Sequence, residues 1–251
     1  MLYGICPQSI VAIRFAPNDG SEMVSQLLYG EHFKILEARK KWSRIRVAFD
    51  DCEGWVSNLQ IIQIPEEAYL KIDKQESLKY ATDIISHACN PQNSMLQPIV
   101  LGSVVLNFDG LKNDFEGDHV TGIQEKSHLV NTALLYLKAP YLKGGKSPFG
   151  IDCSGFTQMV YRINGYPLYR NAEQQSKQGE PLSFIEESEP GDLAFFDNNE
   201  GIIDHVGIIL KDNYIIHVHG EVRIDRLDHT GIFNTEEKLY SHQLRVIKKV
   251  I

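Results

Sequence analysis

Cys153 is followed by apolar residues at spacings of three and four, Phe156, Met159, Val160 and Ile163, as on one face of a helix. It is preceded by Lys143-Gly144-Gly145-Lys146-Ser147-Pro148-Phe149-Gly150, a stretch of breakers that reads as loop. The thiol is therefore expected at a helix N-terminus. Unpaired N–H groups and the positive end of the helix dipole favour the thiolate there, and the thiolate is the nucleophilic form. Downstream, two short apolar runs carry histidines: Asp204-His205-Val206-Gly207-Ile208-Ile209-Leu210, and Tyr214-Ile215-Ile216-His217-Val218-His219 after the turn-like Lys211-Asp212-Asn213. A thiol nucleophile needs a base that takes its proton and returns it to the leaving group, and a polar group that fixes the tautomer of that base. Cys153, His205 and His217 can fill these roles in chain order. A second chemistry draws on some of the same residues. Alternation puts His217 and His219 on one strand face, so that with His205 and Asp204 they could ligate a metal, but Cys153 is then left without a role.

Four motifs occur together and in order: Gly150-Ile151-Asp152-Cys153-Ser154-Gly155-Phe156, Gly191-Asp192-Leu193-Ala194-Phe195-Phe196, His205-Val206-Gly207-Ile208 and Ile216-His217. Over roughly residues 126–251 they resemble the NlpC-type family of papain-like cell-wall peptidases. The resemblance implies Cys153 as nucleophile, His205 as general base and His217 as the third polar residue, because the family pattern places that residue directly after an apolar pair, here Ile215-Ile216. His219 is the rival for the third role. By the same resemblance Asp152 helps hold a substrate ammonium and Ser154 lies close enough to touch substrate. The residues also allow Asp152 to be a helix cap and Ser154 to satisfy backbone there. This chemistry calls for neither metal nor cofactor.

The elements that must position these residues give an α+β catalytic domain, helices packed on an antiparallel sheet, over 126–251. A helix is expected over 126–139, ended by Pro140. Strands are expected near 193–197, 205–210, 213–219, 221–226 and 243–249. Tyr169-Arg170-Asn171-Ala172-Glu173-Gln174-Gln175 resembles the family's Arg-containing segment at the start of a short helix, and Arg170 is expected to pair with a carboxylate, more readily one of the protein than of a substrate. Residues 1–64 read as a small all-β unit, since β-branched and apolar runs recur between turn signals such as Pro17-Asn18-Asp19-Gly20. Within it, Gly30-Glu31, Trp42 and Gly54-Trp55-Val56 resemble a bacterial SH3-like barrel. In NlpC-type peptidases with such a domain in front, the barrel walls off one end of the cleft and confers a need for a free peptide N-terminus. A wall of that kind needs an acceptor for the substrate ammonium. Glu22, Asp51 and Glu53 are candidates beside Asp152, and Trp55 is a candidate substrate contact. Taken singly, each of the three N-terminal acids reads as a solvated carboxylate. Cys52 stands where related sequences often carry Tyr. Residues 65–125 read as a second β-rich module or linker, with a helix starting near Pro65, strands around Gly102-Ser103 through Phe108, and a turn at Asp109-Gly110.

Composition narrows the partners. The 25 basic residues are outnumbered by 33 acidic ones, giving a net charge of −8 with no basic run, which argues against nucleic acid and anionic membrane surfaces. No apolar run is long enough to span a bilayer. The four cysteines, Cys6, Cys52, Cys89 and Cys153, lack the close pairing of a zinc motif or disulfide framework. Met1-Leu2-Tyr3-Gly4-Ile5-Cys6-Pro7 does not read as a secretory signal, so the cytoplasm is expected.

Together these features look most like γ-D-glutamyl-L-diamino-acid endopeptidases of the dipeptidyl-peptidase VI type. The expected substrate is a small murein peptide with a free N-terminal L-Ala, cut after γ-D-Glu in the recycling or degradation of wall fragments. Two other readings stay open: a non-catalytic module that binds wall peptides, and an amidase or acyltransferase using the same Cys-His chemistry.

Overall fold

In the computed structural model, which describes all residues except 76, 107–109, 112, 113 and 199, the chain forms two compact units. The first comprises Met1–Ile123 and Lys143–Pro148, the second Gln124–Leu142 and Phe149–Ile251.

The first unit opens with seven strands: β1 (Leu2–Ile5), β2 (Ile10–Arg14), β3 (Met23–Leu28), β4 (His32–Ala38), β5 (Trp42–Val47), β6 (Glu53–Ser57) and β7 (Ile62–Ile64). They pair antiparallel in the order β3-β2-β6-β5-β4-β1-β7. β5 shows why the register holds. Ser43, Ile45 and Val47 are buried while Arg44 and Arg46 are exposed, so a slip by one residue would put guanidinium groups into the core. Val11, Ile13, Leu27, Phe33, Ile35, Ile45, Val47 and Val56, with Cys6, form one apolar cluster. Helix α1 (Glu66–Asp73) follows, with Glu66 and Glu67 favourably placed in its first turn and Tyr69 packed on Tyr3, ring centroids 4.5 Å apart. Then come β8 (Lys79–Ala81), β9 (Ile85–Cys89), β10 (Leu96–Val100), β11 (Val104–Val105), β12 (Asp114–Glu116) and β13 (His119–Thr121) in two three-stranded sheets, β10-β9-β12 and β11-β8-β13. The strands around Gly102-Ser103 thus belong to different sheets. Asn107 and Phe108 of that expected run, and Asp109 of the expected turn, lie outside the described residues. The backbone N–H of Val104 donates to Tyr29 O at 2.9 Å, tying this region to the first strands.

A short segment containing β14 (Lys146–Ser147) completes the first unit. Lys146 Nζ lies 2.8 Å from Glu31 Oε1, both side chains being about 1% exposed, and the Lys146 N–H donates to Gln26 Oε1 at 2.7 Å. The other Glu31 oxygen accepts from the Leu28 N–H at 2.7 Å. A buried charge pair needs this kind of full satisfaction to be tolerated.

The second unit begins with α2 (Ser127–Leu134). This helix ends five residues short of the expected boundary. The chain leaves it through i to i−3 bonds from Leu135, Tyr136 and Leu137, and Lys138 adopts a left-handed backbone, φ 69°, so the stop precedes Pro140. After β15 (Gly150–Ile151) come α3 (Cys153–Ile163) and α4 (Ala172–Gln175), then β16 (Glu180–Leu182), β17 (Leu193–Asp197), β18 (Ile203–Ile209), β19 (Tyr214–His219), β20 (Glu221–Leu227), β21 (Gly231–Asn234) and β22 (Leu239–Lys249). The order is β16-β22-β17-β18-β19-β20-β21, and β21 also pairs with β22. The expected antiparallel sheet is thus present and closes into a six-stranded barrel. Closure depends on the 11-residue β22, which pairs along three strands, with register shifts at Phe195/Phe196 and Ile232/Phe233 that let it bend. Gly231 is needed at the seam, because a Cβ there would meet His242 O at 1.9 Å.

Alternation then sorts the side chains. Ala194, Phe196, Ile209, Ile215, Leu227, Ile232 and Ile247 form one apolar cluster, and His205, Gly207 and His217 share the face of Ile209 and Ile215. Val206, Ile208, Ile216 and Val218 point the other way, and α3 packs on β18 and β19. Both faces are covered, which explains why these strands read as nearly unbroken apolar runs.

Candidate active site

Asp152 is the N-cap of α3, with an extended backbone and Oδ1 accepting from the Gly155 N–H at 2.7 Å. Cys153 is therefore the first residue of the helix, as expected. Its Sγ lies 3.7 Å from Asp204 O, so the thiol rests against the residue immediately before His205. The Asp152 carboxylate is held from the other side by Arg170, Nη1 to Oδ1 at 2.9 Å and Nη2 to Oδ2 at 2.8 Å. Arg170 Nη1 also donates to Ser154 Oγ at 3.1 Å. The carboxylate partner of Arg170 thus belongs to the protein, and Ser154 is buried beneath it. Gln175 of α4 ties this corner together: its Nε2 donates to Ser154 O and Tyr169 O at 2.9 and 2.8 Å.

His205 and His217 meet directly, Nε2 to Nδ1, at 2.9 Å. His217 Nε2 in turn lies 2.9 Å from Asp225 Oδ2 on β20. Asp225 accepts from Arg223, Nε at 2.6 Å and Nη2 at 3.0 Å. His219, the alternative third residue, is exposed, with its ring centroid 6.3 Å from that of His217. Asp225, Arg223 and His242 were not identified as site residues from the sequence. His242 comes from β22 and stacks on His205, centroids 3.9 Å apart and planes 20° from parallel. The only local hint was the alternation of Arg223 and Asp225 along a strand; nothing near His242 in sequence marks it.

The electrostatics of the site favour neutral forms. Burial pushes the Cys153 thiol up to about 12, and the Asp152 charge adds to this; N–H groups of Val206 and Ser154 and the Arg170 charge oppose it. Desolvation is the largest influence on the thiol and acts against the thiolate that a helix N-terminus favours. Burial, with His242, His217 and His219 nearby, holds His205 well below the ordinary histidine range. His217 is lowered by burial against the pull of Asp225, and His242 is lowered to about 3, again mainly by burial. Burial alone would raise Asp225, but its bonds from His217 and Arg223 win and bring it to about 2.

Three imidazoles, His205, His217 and His242, offer nitrogen atoms within 4.8 Å of one another. His242 takes the place that His219 and Asp204 held in the metal reading of the sequence. His205 Nε2 is engaged by His217 Nδ1, and the His242 ring lies stacked on His205. The rings form a stacked, hydrogen-bonded set. A cavity of about 620 Å³ opens beside His205 and His242, walled also by Asp197, Asp204, Thr230 and Gln243.

The remaining candidates lie in the first unit. Glu22 is exposed and pairs with Lys143 Nζ at 2.7 Å. Asp51 is exposed in a turn with φ 56°. Glu53 is held by Arg44 and Arg46 at 2.8 and 2.6 Å, and the Arg46 bond draws it below the usual carboxylate range. Trp55 is buried, with the Arg39 guanidinium 4.3 Å over its ring.

Residues 138–239 match the NlpC/P60 family, and residues 13–61 match the bacterial dipeptidyl-peptidase SH3 domain. A γ-D-glutamyl-L-lysine dipeptidyl-peptidase of Bacillus cereus is 25% identical over 79% of this chain and 68% of its own. Dipeptidyl-peptidase 6 of Lysinibacillus sphaericus is 26% identical over 84% of this chain and 87% of its own. The crystal structure of an NlpC/P60 family protein from Bacillus cereus superposes with a TM-score of 0.83 at 19% identity, covering 99% of both chains, which establishes a shared fold. The chain thus joins an NlpC/P60 domain to a preceding SH3-like domain of the bacterial dipeptidyl-peptidase type.

Proposed function

We propose that the chain is a cysteine peptidase that hydrolyses the γ-D-glutamyl–diamino acid amide of murein peptides bearing a free N-terminal L-Ala. The observation that carries the chemistry is the 2.9 Å bond between His205 and His217, formed on the strand whose Asp204 carbonyl touches the Cys153 thiol. The bond specificity is supported by the relatives named above, a γ-D-glutamyl-L-lysine dipeptidyl-peptidase and a dipeptidyl-peptidase 6.

His217 occupies Nε2 of His205, which leaves Nδ1 as the base. Burial disfavours both the thiolate and the imidazolium, so in this reading proton transfer accompanies attack. Sγ adds to the substrate carbonyl as His205 takes its proton. N–H groups at Cys153 and its neighbours, at the start of α3, stabilise the oxyanion. His205 then protonates the departing amine, leaving a thioester on Cys153. Water, deprotonated by His205, cleaves that thioester and restores the thiol. The cavity beside His205 is within the usual size range for a small-molecule site and provides room for one side of the scissile bond.

The test is incubation with L-Ala-γ-D-Glu-L-Lys and L-Ala-γ-D-Glu-meso-diaminopimelate, free and N-acetylated, with mass detection of products and Cys153→Ala alongside. Release of L-Ala-D-Glu from free-amine peptides by the wild type alone is expected. Cleavage of acetylated peptides equally well removes the N-terminal requirement. Binding without cleavage converts the proposal to a binding module, and transfer to an added amine converts it to an acyltransferase.

A further inference from the structure

Asp225 is buried and accepts three hydrogen bonds, one from His217 and two from Arg223. Nothing in the mechanism above uses it. We infer that Asp225, held by Arg223, is a positioning residue that fixes the proton on both histidines and thereby leaves the lone pair of His205 on Nδ1. This deepens the peptidase reading and rests on it for the identity of the base.

The inference follows from counting protons along one line of hydrogen bonds. Two donors from Arg223 keep Asp225 an ionised carboxylate, which can only accept. The proton between Asp225 Oδ2 and His217 Nε2 therefore sits on His217. A neutral imidazole has one N–H, so Nδ1 of His217 is an acceptor. Its partner at 2.9 Å, Nε2 of His205, must then be the donor. A neutral His205 with its proton on Nε2 is bare at Nδ1. Reversing the first bond would reverse the rest, putting the proton of His205 on the nitrogen that must act as base. The arrangement also helps later in the cycle. When His205 becomes cationic, the lone-pair end of the His217 dipole already faces it, and the Asp225 charge lies behind. No proton has to move from His217 to Asp225.

Other groups near the pair do not compete for this role. His242 lies face to face with His205 and makes its side-chain bond to Ser241 Oγ at 2.8 Å. His219 is exposed, and the Glu236 carboxylate lies 3.2 Å from Arg223 Nη2. Residues that orient a catalytic ligand from behind commonly cost 10- to 100-fold in activity when removed, and a loss of about that size is expected here.

The experiment is nitrogen NMR of the intact chain labelled at histidine, where ring shifts report which nitrogen carries the proton. The wild type should show Nε2–H and bare Nδ1 on both His205 and His217. A proton on Nδ1 of either neutral ring overturns the inference without any variant. In Asp225→Asn both patterns should change together, with kcat down about 10- to 100-fold and KM within about 2-fold. Arg223→Gln, which keeps the carboxylate but removes two of its donors, should move both in the same direction by less, and serves if Asp225→Asn does not fold. Unchanged ring shifts and kcat beside a lower melting temperature would mean that Asp225 is only structural, and would overturn the inference. The expected tautomers in a wild type that cleaves no peptide would remove the proposed function and leave the proton arrangement standing.

Discussion

Gly207 is the position at which the strand pairing and the His205–His217 pair meet, and Gly207→Ala tests their connection. It lies opposite His217 in the β18–β19 register. A Cβ on residue 207 would stand 2.9 Å from His217 Cβ, and 2.8 and 2.9 Å from two side-chain carbons of Ile215. Carbon atoms rest about 3.5–4.0 Å apart, so each contact is short by roughly 0.6 Å or more. The Ile215 atoms can rotate away. His217 Cβ cannot, because it is fixed to the backbone while its ring is held at both nitrogens. The clash is therefore resolved by shifting β19 and drawing the His217 ring off His205. Overpacking of this kind costs about 1–3 kcal/mol. For a chain of this size that lowers the melting temperature by about 2–4 °C per kcal/mol. A displacement near 1 Å at a catalytic group costs on the order of 10²-fold in rate. Circular-dichroism melting and hydrolysis of L-Ala-γ-D-Glu-L-Lys measure the two effects. A variant with wild-type melting, or one destabilised but with kcat within about 2-fold, would refute the reasoning that this glycine sets the histidine pair.

Lys146→Met leaves Glu31 buried without its cation, and a loss of about 3–5 kcal/mol in urea unfolding is expected. Adding Glu31→Gln should recover part of that loss, and a single-variant cost below about 1 kcal/mol would contradict the burial argument. Alkylation of Cys153 by iodoacetamide should be slow at pH 7 and rise steadily beyond pH 9, since its thiol is pushed up to about 12; a reactive plateau below pH 7 would indicate a preformed thiolate–imidazolium pair instead. Acid should destabilise the fold well above the pH at which Asp225, held near 2, loses its charge. His205, His217 and His242 have folded values below the ordinary 6.5, so the unfolded chain binds more protons as pH falls below 6.5. Stability is then lost at up to about 1.4 kcal/mol per pH unit for each ring, about 4 kcal/mol between pH 7.5 and 5.5, until the rings themselves protonate, near 3 for His242. A flat urea midpoint across that range would refute this.

What could be read from the sequence was local. The cap at Asp152, the helix behind Cys153 and the strands bearing His205 and His217 each follow from neighbours within a few residues. Contacts set by closure of the barrel were not legible in that way. β22 reaches the site only because it bends across β17 and β21, so His242 arrives beside His205 with no sequence signal. Asp225 depends on where β20 falls behind β19. The surroundings of Cys153 were only partly legible for a related reason: the helix terminus is visible in the sequence, whereas the desolvation that opposes a thiolate is a property of the packed site. The stretch Lys143–Gly150 was read as loop, yet Lys146–Ser147 and Gly150 lie in short strands; breakers do not say where such a stretch pairs or packs, and Lys146 is among the most buried side chains described.

The placement of that stretch also sets an order of assembly. The chain passes between the two units three times, and the first is interrupted by Gln124–Leu142 before Lys143–Pro148 completes it. During synthesis the N-terminal strands would emerge and pair while the carboxylate of Glu31 still lacked its cation, which lies 115 residues further along. The first unit would have to wait, partly solvated at its interior acid, until Lys146 left the ribosome, and Cys153 follows seven residues later. Locking of the first unit and the start of α3 would then occur almost together, a coupling built on sequence separation that slows folding while placing Cys153 at the end of a segment already anchored.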